Sequence, residues 1–196
     1  MCVRMRTVSQ SAVVSIPGTN HRDSLGKENM NKPLVLLDVD GVINDIEGVG
    51  LGTGSWETHK FQSHGYTLLV PSYMRQLIQA ICQVAEVRWC TTWRHRANDE
   101  IAQHLEIGPL EVIDDGTGSR FVDWKAAAAY SVAEQAIQEG RKVLWIEDFY
   151  GHLPTDEMPQ GVEFVDTTEG WDGALLLPEM LPNWLQDLLL CGSDPS

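Results

Sequence analysis

Residues 33–44 read PLVLLDVDGVIN and combine a short apolar run with two aspartates and a glycine. A continuous apolar run of this length is typical of a strand that is buried on both faces of a parallel sheet. The acidic residues and Gly41 mark the point where the chain leaves the sheet. We therefore predict a buried first strand that ends at Asp38 and opens into a loop.

Strand-like and helix-like segments alternate along the rest of the chain. Apolar residues at helical spacing predict helices over 72–85, about 98–105, 123–139 and 181–190. Strand-like runs lie at 86–92, 110–113, 142–148 and 162–166. This alternation predicts an α/β protein: a Rossmann-like three-layer sandwich with a central, mostly parallel sheet of about five strands.

Charge and composition exclude several classes of function. The chain carries 14 basic and 28 acidic residues, a net charge of −14, which disfavours an extended nucleic-acid-binding face. No apolar run approaches the roughly 18 residues of a membrane span, so we expect no membrane partner. The four cysteines lie far apart and form no CxxC pair, which predicts reduced thiols and a cytoplasmic protein.

The first residues differ in composition from the rest. Residues 1–29 are polar and rich in serine and threonine, with no apolar core of the kind that a signal peptide needs. We expect a disordered extension over 1–29 and a single domain over 30–196. The sequence leaves the oligomeric state open.

Three predicted strands each end in a pair of side chains that bear oxygen atoms. The pairs are Asp38 and Asp40, Thr91 and Thr92, and Glu147 and Asp148. Because the carboxyl ends of parallel strands meet at one edge of a sheet, we expect these side chains to converge there. Carboxylate oxygens suit a hard divalent cation, and we expect Mg²⁺. With their charge neutralised, Asp38 could act as a nucleophile and Asp40 could transfer a proton.

This pattern resembles the haloacid dehalogenase superfamily. The resemblance covers residues 34 to about 166 and rests on DVDGVIN (38–44), WCTTW (89–93), Lys125 and WIED (145–148). In phosphatases of that superfamily the first aspartate forms an aspartyl-phosphate, and the second protonates the leaving group and later activates water. The resemblance therefore implies a Mg²⁺-dependent phosphatase that works through Asp38.

The resemblance also implies individual roles. The implied catalytic residues are Asp38, Asp40, Thr91, which would hold a phosphate oxygen, and Lys125, which would neutralise developing charge. The implied metal ligands are Asp38, Asp148 and Asp40, the last through its backbone carbonyl. From the residues themselves we expect Gly41, Thr92 and Arg94 beside the substrate. Gly41 lets the backbone approach a ligand closely, and Thr92 and Arg94 lie at the end of the strand predicted at 86–92.

Some of these assignments have alternatives. Strand alternation points neighbours to opposite faces, so only one of Thr91 and Thr92, and one of Glu147 and Asp148, faces the site unless the turn begins early. Arg94 either contacts the leaving group or pairs with acidic residues of the second half. Trp93 either packs at the rim or stacks on an aromatic substrate.

The spacing of the motifs limits what covers the site. Asp40 and Thr91 are separated by a flap at 49–67, predicted as a loop or small hairpin, and by a helix and a strand, which leaves no room for a full cap domain. An open site suits a phosphorylated small molecule or a nucleic-acid terminus. The alternatives are a phosphotransferase of the same fold and a noncatalytic binding module that keeps the fold without turnover.

Overall fold

The architecture is taken from a computed structural model that describes residues 32–45, 57–63, 65–117, 123–148, 155–168 and 175–192. In these residues the strands and helices are β1 (Leu34–Leu37), β2 (Thr58–Ser63), β3 (Tyr66–Pro71), α1 (Ser72–Val84), β4 (Glu86–Trp89), α2 (Gln103–Leu105), β5 (Glu111–Val112), α3 (Asp123–Gln138), β6 (Val143–Glu147), β7 (Val162–Asp166) and α4 (Asn183–Cys191). Short 3-10 turns cover Thr155–Glu157 and Pro178–Met180. The predicted extension over 1–29 lies outside the described residues.

The central sheet has five parallel strands in the order β5-β4-β1-β6-β7. β1 lies in the middle, with β4 on one side and β6 on the other. From β1 the chain builds one half of the sheet through β4 and β5, and it then returns to add β6 and β7 on the other side. This reversal next to β1 is where open α/β sheets bind their ligands.

Alternation along β1 explains the three layers. Val35 and Leu37 belong to one buried cluster, and Leu34 and Leu36 belong to another. The first cluster contains residues of α1 and α4, among them Met74, Ile78, Ile81 and Leu185. The second contains the small residues of α3, among them Ala129, Ala133 and Ala136. Since successive strand residues point to opposite faces, β1 packs helices on both sides, and the predicted α/β sandwich is confirmed.

The predicted flap contains a β-hairpin. β2 and β3 pair antiparallel in a second, two-stranded sheet. The hairpin reaches Pro71, four residues beyond the predicted end of the flap at 67. The reason is that Leu68 and Val70 are buried in the core, so β3 is held by alternating burial that a loop interpretation overlooks.

The helix predicted over 98–105 has two parts. Residues Ala97–Ala102 form a π-helical turn, and only α2 is α-helical. The buried residues Ala97, Ile101 and Ala102 are four and five positions apart, a spacing that both kinds of turn satisfy. Apolar periodicity therefore predicted a helix here but could not predict its type.

None of the helices within the described ranges has the length and apolar character that crossing a membrane requires.

Replacing Trp145 with alanine should destabilise the fold strongly. Trp145 is fully buried on β6, and its ring contacts the rings of Tyr130 and Phe164 at centroid distances of 5.9 and 5.6 Å. We expect Trp145→Ala to lower the free energy of unfolding by about 3–5 kcal/mol because a large cavity remains. Urea unfolding followed by circular dichroism measures this loss.

The matched control is Leu190→Ala on α4, where the side chain is 75% exposed. That change should stay within about 0.5 kcal/mol. A loss below about 1 kcal/mol for Trp145→Ala would contradict the packing described here.

Candidate active site

The carboxyl ends of β1, β4 and β6 meet at one edge of the sheet. The backbone N–H of Asp38 donates to the carbonyl of Ile146 at 3.2 Å, and the N–H of Cys90 donates to the carbonyl of Leu37 at 2.9 Å. These bonds continue the strand pairing past the last residues of the strands. The segments that carry the predicted site residues are therefore held side by side.

Three carboxylates converge at this edge. Asp38, Glu147 and Asp148 form what we call the acidic cluster: one oxygen from each lies within 4.8 Å of the other two. Asp38 and Glu147 are buried, and Asp148 is half-buried. Glu147 is the last residue of β6, and the chain bends at Asp148, so the turn begins early enough for both neighbours to enter the cluster.

Lys125 of α3 is the positive partner of the acidic cluster. Its Nζ lies 2.6 Å from Glu147 Oε2 and 3.2 Å from Asp38 Oδ2, and its side chain is 2% exposed. Burial opposes the charged ammonium, but Asp38 and Glu147 outweigh that effect and raise the pKa of Lys125. Lys125 is therefore stabilised as a buried cation in contact with Asp38.

The acidic cluster has more negative charge than Lys125 can balance. Burial, followed by the charge of Asp38, raises the pKa of Glu147 and raises that of Asp148 to about 6. Among the described side chains, the buried oxygens Asp38 Oδ1 and Glu147 Oε1 accept no hydrogen bond. Three carboxylates and one ammonium leave a net charge of −2 when all are ionised.

A hard divalent cation fits this donor set. It would balance the remaining charge and give the unbonded oxygens a partner, and oxygen ligands are those that such cations prefer. Asp38 and Asp148 are the predicted ligands that lie in the cluster, and Glu147 is a third that the sequence left undecided.

Asp40 lies in a separate environment from the acidic cluster. Its Oδ1 accepts a hydrogen bond from Asn44 Nδ2 at 2.9 Å, and its Oδ2 accepts one from the indole Nε1 of Trp93 at 2.8 Å. Burial raises the pKa of Asp40, although these two hydrogen bonds partly offset it. Its carboxylate is thus held in place by two side chains, and both its role in proton transfer and a metal contact through its backbone carbonyl stay predictions.

Asn44 was not predicted as a site residue, and the sequence left Trp93 open between packing at the rim and stacking on an aromatic substrate. Asn44 also accepts a hydrogen bond on Oδ1 from the backbone N–H of Leu69 at 2.8 Å, which ties the hairpin to Asp40. The signal was present, because Asn44 closes DVDGVIN and Trp93 closes WCTTW. Sequence reasoning weighed the carboxylates and hydroxyls of these motifs, overlooked Asn44, and did not predict that Trp93 would orient Asp40.

Gly41 lies directly against Asp148. Its φ is +70°, and a Cβ added there would overlap the Asp148 carboxylate. The carbonyl of Gly41 accepts a hydrogen bond at 2.8 Å from the buried hydroxyl of Thr167, a second residue that the sequence did not single out. Only glycine combines this backbone conformation with so close an approach.

Thr91 and Thr92 differ in burial. Thr91 is fully buried, and its Oγ1 accepts a hydrogen bond from the backbone N–H of Trp93 at 3.3 Å. Thr92 is half-buried. The assignment of Thr91 to a phosphate oxygen, with Thr92 beside the substrate, stays a prediction.

Arg94 has carboxylate partners within the protein. Its guanidinium forms ion pairs with Asp114 and with Asp115, the latter at 3.0 Å, and lies 4.1 Å from the ring of Trp124. This arrangement agrees with the alternative that Arg94 pairs with acidic residues of the second half. Its predicted contact with substrate stays a prediction.

Gly41→Ala should weaken binding of a divalent cation at least tenfold, because Asp148 must move to make room for the new methyl group. Isothermal titration calorimetry with Mg²⁺ measures the affinity. The control is Gly116→Ala, where φ is +73° and the built Cβ meets nothing within 4 Å. Both variants carry the same backbone strain, so equal losses of affinity would contradict this geometry.

Asp148→Asn should stabilise the metal-free protein above about pH 6. The carboxyl keeps its proton up to about pH 6 when folded but releases it near 3.8 when unfolded. Between these values rising pH therefore destabilises the unaltered protein, and the advantage of the variant should grow through that window and vanish below it. Urea unfolding in EDTA from pH 3.5 to 7.5 measures the difference.

Asp187→Asn, at an exposed position on α4, controls for the loss of one charge. In a second arm, added Mg²⁺ should raise the melting temperature of the unaltered protein more than that of Asp148→Asn. A variant that is less stable than the unaltered protein at pH 7.5 in EDTA would contradict the prediction.

Comparison with the models of known protein families finds no match for this chain, and no curated protein matches it. The geometry of the site is therefore the basis on which its function is argued.

Proposed function

We propose that this protein is a Mg²⁺-dependent phosphatase of the haloacid dehalogenase type that hydrolyses phosphoric monoesters through an aspartyl-phosphate on Asp38. One observation carries the proposal: Asp38 has one oxygen paired with the buried Lys125, while its other oxygen accepts no hydrogen bond among the described side chains. A carboxylate arranged in this way is positioned by a cation and still has a free lone pair for attack.

The two aspartates divide the chemistry. An oxygen of Asp38 would form a bond to phosphorus while the bond from phosphorus to the ester oxygen breaks, and Asp40 would give its proton to the departing oxygen. Asp40 would then take a proton from the water that attacks the aspartyl-phosphate, releasing inorganic phosphate and restoring Asp38. Burial raises the pKa of Asp40, which is the direction that favours a general acid.

The positive charge that phosphoryl transfer requires has two sources in this proposal. Lys125 supplies one, since its ammonium is held beside Asp38 and would lie near the oxygens of the transferred group. A Mg²⁺ held by Asp38 and Asp148, with Glu147 alongside, would supply the other by neutralising the acidic cluster and the phosphate oxygens.

We propose that the substrate is a phosphorylated small molecule or a nucleic-acid terminus, which would bind at an open site. We propose the cytoplasm as the location, which agrees with the three described cysteines, Cys82, Cys90 and Cys191, being free thiols.

Asp38→Asn should abolish hydrolysis. An amide keeps the shape of the side chain but loses the nucleophilic oxygen pair, so we expect kcat/KM for phenyl phosphate with Mg²⁺ to fall by more than about a thousandfold. Release of inorganic phosphate measures turnover, and circular dichroism checks that the variant is folded. The control is Asp99→Asn at an exposed position, which should keep full activity.

Turnover that survives in Asp38→Asn would contradict the assigned nucleophile. Transfer of phosphate to an added alcohol in preference to water would favour the phosphotransferase alternative. Absence of turnover over a panel of phosphate esters, with Mg²⁺ bound, would favour the noncatalytic binding module.

A further inference from the structure

Tyr66 is an aromatic side chain that the fold leaves in solvent. It is the first residue of β3, and its side chain is 62% exposed. Among the described residues the exposed large hydrophobic side chains are Tyr66, Leu188 and Leu190, so Tyr66 is the aromatic one. The two leucines lie on α4, whereas Tyr66 lies on the hairpin that is tied to Asp40.

The orientation of Tyr66 follows from the alternation of β3. Leu68 and Val70 are buried in the core, and Tyr66 precedes Leu68 by two positions, so all three share the inward face of the hairpin. Tyr66 is therefore an inward-facing residue placed beyond the edge of the core. Its ring contacts the ring of Trp93 edge-on, with centroids 6.1 Å apart and an interplanar angle of 64°.

Trp93 connects Tyr66 to Asp40, the proposed proton donor. The side chain of Trp93 is 6% exposed, and its indole N–H donates to Asp40 Oδ2. A single side chain thus separates the ring of Tyr66 from the Asp40 carboxylate. The hydrogen bond from Leu69 N–H to Asn44, which itself donates to Asp40, fixes β3 at the same point.

We propose that Tyr66 is a stacking surface for an aromatic ring in the leaving group of the substrate. The inference rests on the proposed function, because Asp40 is then the group that protonates the leaving oxygen, and the leaving group must emerge on its side of the site. Tyr66 lies on that side with most of its surface free, while Trp93 is already covered. Planar rings stack favourably on such a surface.

The substrate class is thereby narrowed to monoesters whose leaving group carries a planar ring, such as an aryl phosphate or a nucleoside monophosphate. A purely aliphatic phosphate ester of similar size gains nothing from Tyr66. Aryl phosphates and nucleoside monophosphates both carry a planar ring in the leaving group. The test therefore includes one substrate of each kind.

The test compares kcat/KM for phenyl phosphate and AMP with kcat/KM for glycerol 2-phosphate, using the full chain with Mg²⁺. In Tyr66→Ala the ratio of aromatic to aliphatic kcat/KM should fall about tenfold, and Tyr66→Phe should restore it because the ring is kept. The matched control is Lys60→Ala. Lys60 is an exposed hairpin residue that pairs with Leu69, on the opposite face from Leu68 and Val70, so this variant should keep the ratio.

Two outcomes overturn the inference while the proposed function stands. If Tyr66→Ala lowers kcat/KM equally for aromatic and aliphatic esters, the residue supports the site without selecting the substrate. If Tyr66→Phe fails to restore the ratio, the ring is not the recognised feature.

A binding measurement decides the inference if the proposed function fails. Should no ester be hydrolysed by the unaltered chain, calorimetric titration with AMP and with ribose 5-phosphate replaces the kinetics. Tighter binding of AMP that is lost in Tyr66→Ala and kept in Lys60→Ala supports the stacking surface. Equal affinity of the unaltered chain for the two ligands overturns it.

Discussion

The contact between the buried ammonium of Lys125 and the carboxylates of Asp38 and Glu147 is the constraint on which the rest of the site depends. It joins α3 to the ends of β1 and β6, in a place where neither charge has access to bulk water. An isolated buried charge is costly, so each partner requires the other. One ammonium cannot balance three carboxylates when all of them are ionised, which makes the same contact both a structural tie and the basis of a candidate cation site.

Two aspartates one residue apart are given different environments by this arrangement. Asp38 lies among charges beside Lys125, whereas both oxygens of Asp40 accept hydrogen bonds from Asn44 and Trp93. Environments of this kind can separate the roles of chemically identical groups, as the proposed function requires of a nucleophile and a general acid. The hairpin takes part through Asn44 and Trp93, so the flap and Asp40 form one connected unit.

Much of the fold was predictable because its signals are local. Three elements are recognisable from a short stretch of sequence: the apolar run before Asp38, the alanine-rich helix that carries Lys125, and the strand that ends at Glu147. Parallel order then follows from the alternation of strands and helices. A loop or small hairpin was predicted only as far as residue 67. The rest of β3 was missed because its two buried residues, Leu68 and Val70, are recognisable as core only once the surface they pack against exists.

The sequence by itself determined the parallel sheet, the edge at which its strands end, and the candidates Asp38, Asp40 and the pair Glu147 and Asp148, since these depend on where strands end. Lys125 became a candidate through the resemblance to the haloacid dehalogenase superfamily. Only the tertiary structure decided that Glu147 and Asp148 enter the cluster together, that Arg94 is occupied by two carboxylates, and that Tyr66 stands beside Trp93. Two of these features are contacts between residues far apart in the chain. The other is the direction of two neighbouring side chains at the bend after β6. Their geometry depends on how the strands and loops pack, and the local periodicity of apolar residues does not predict that packing.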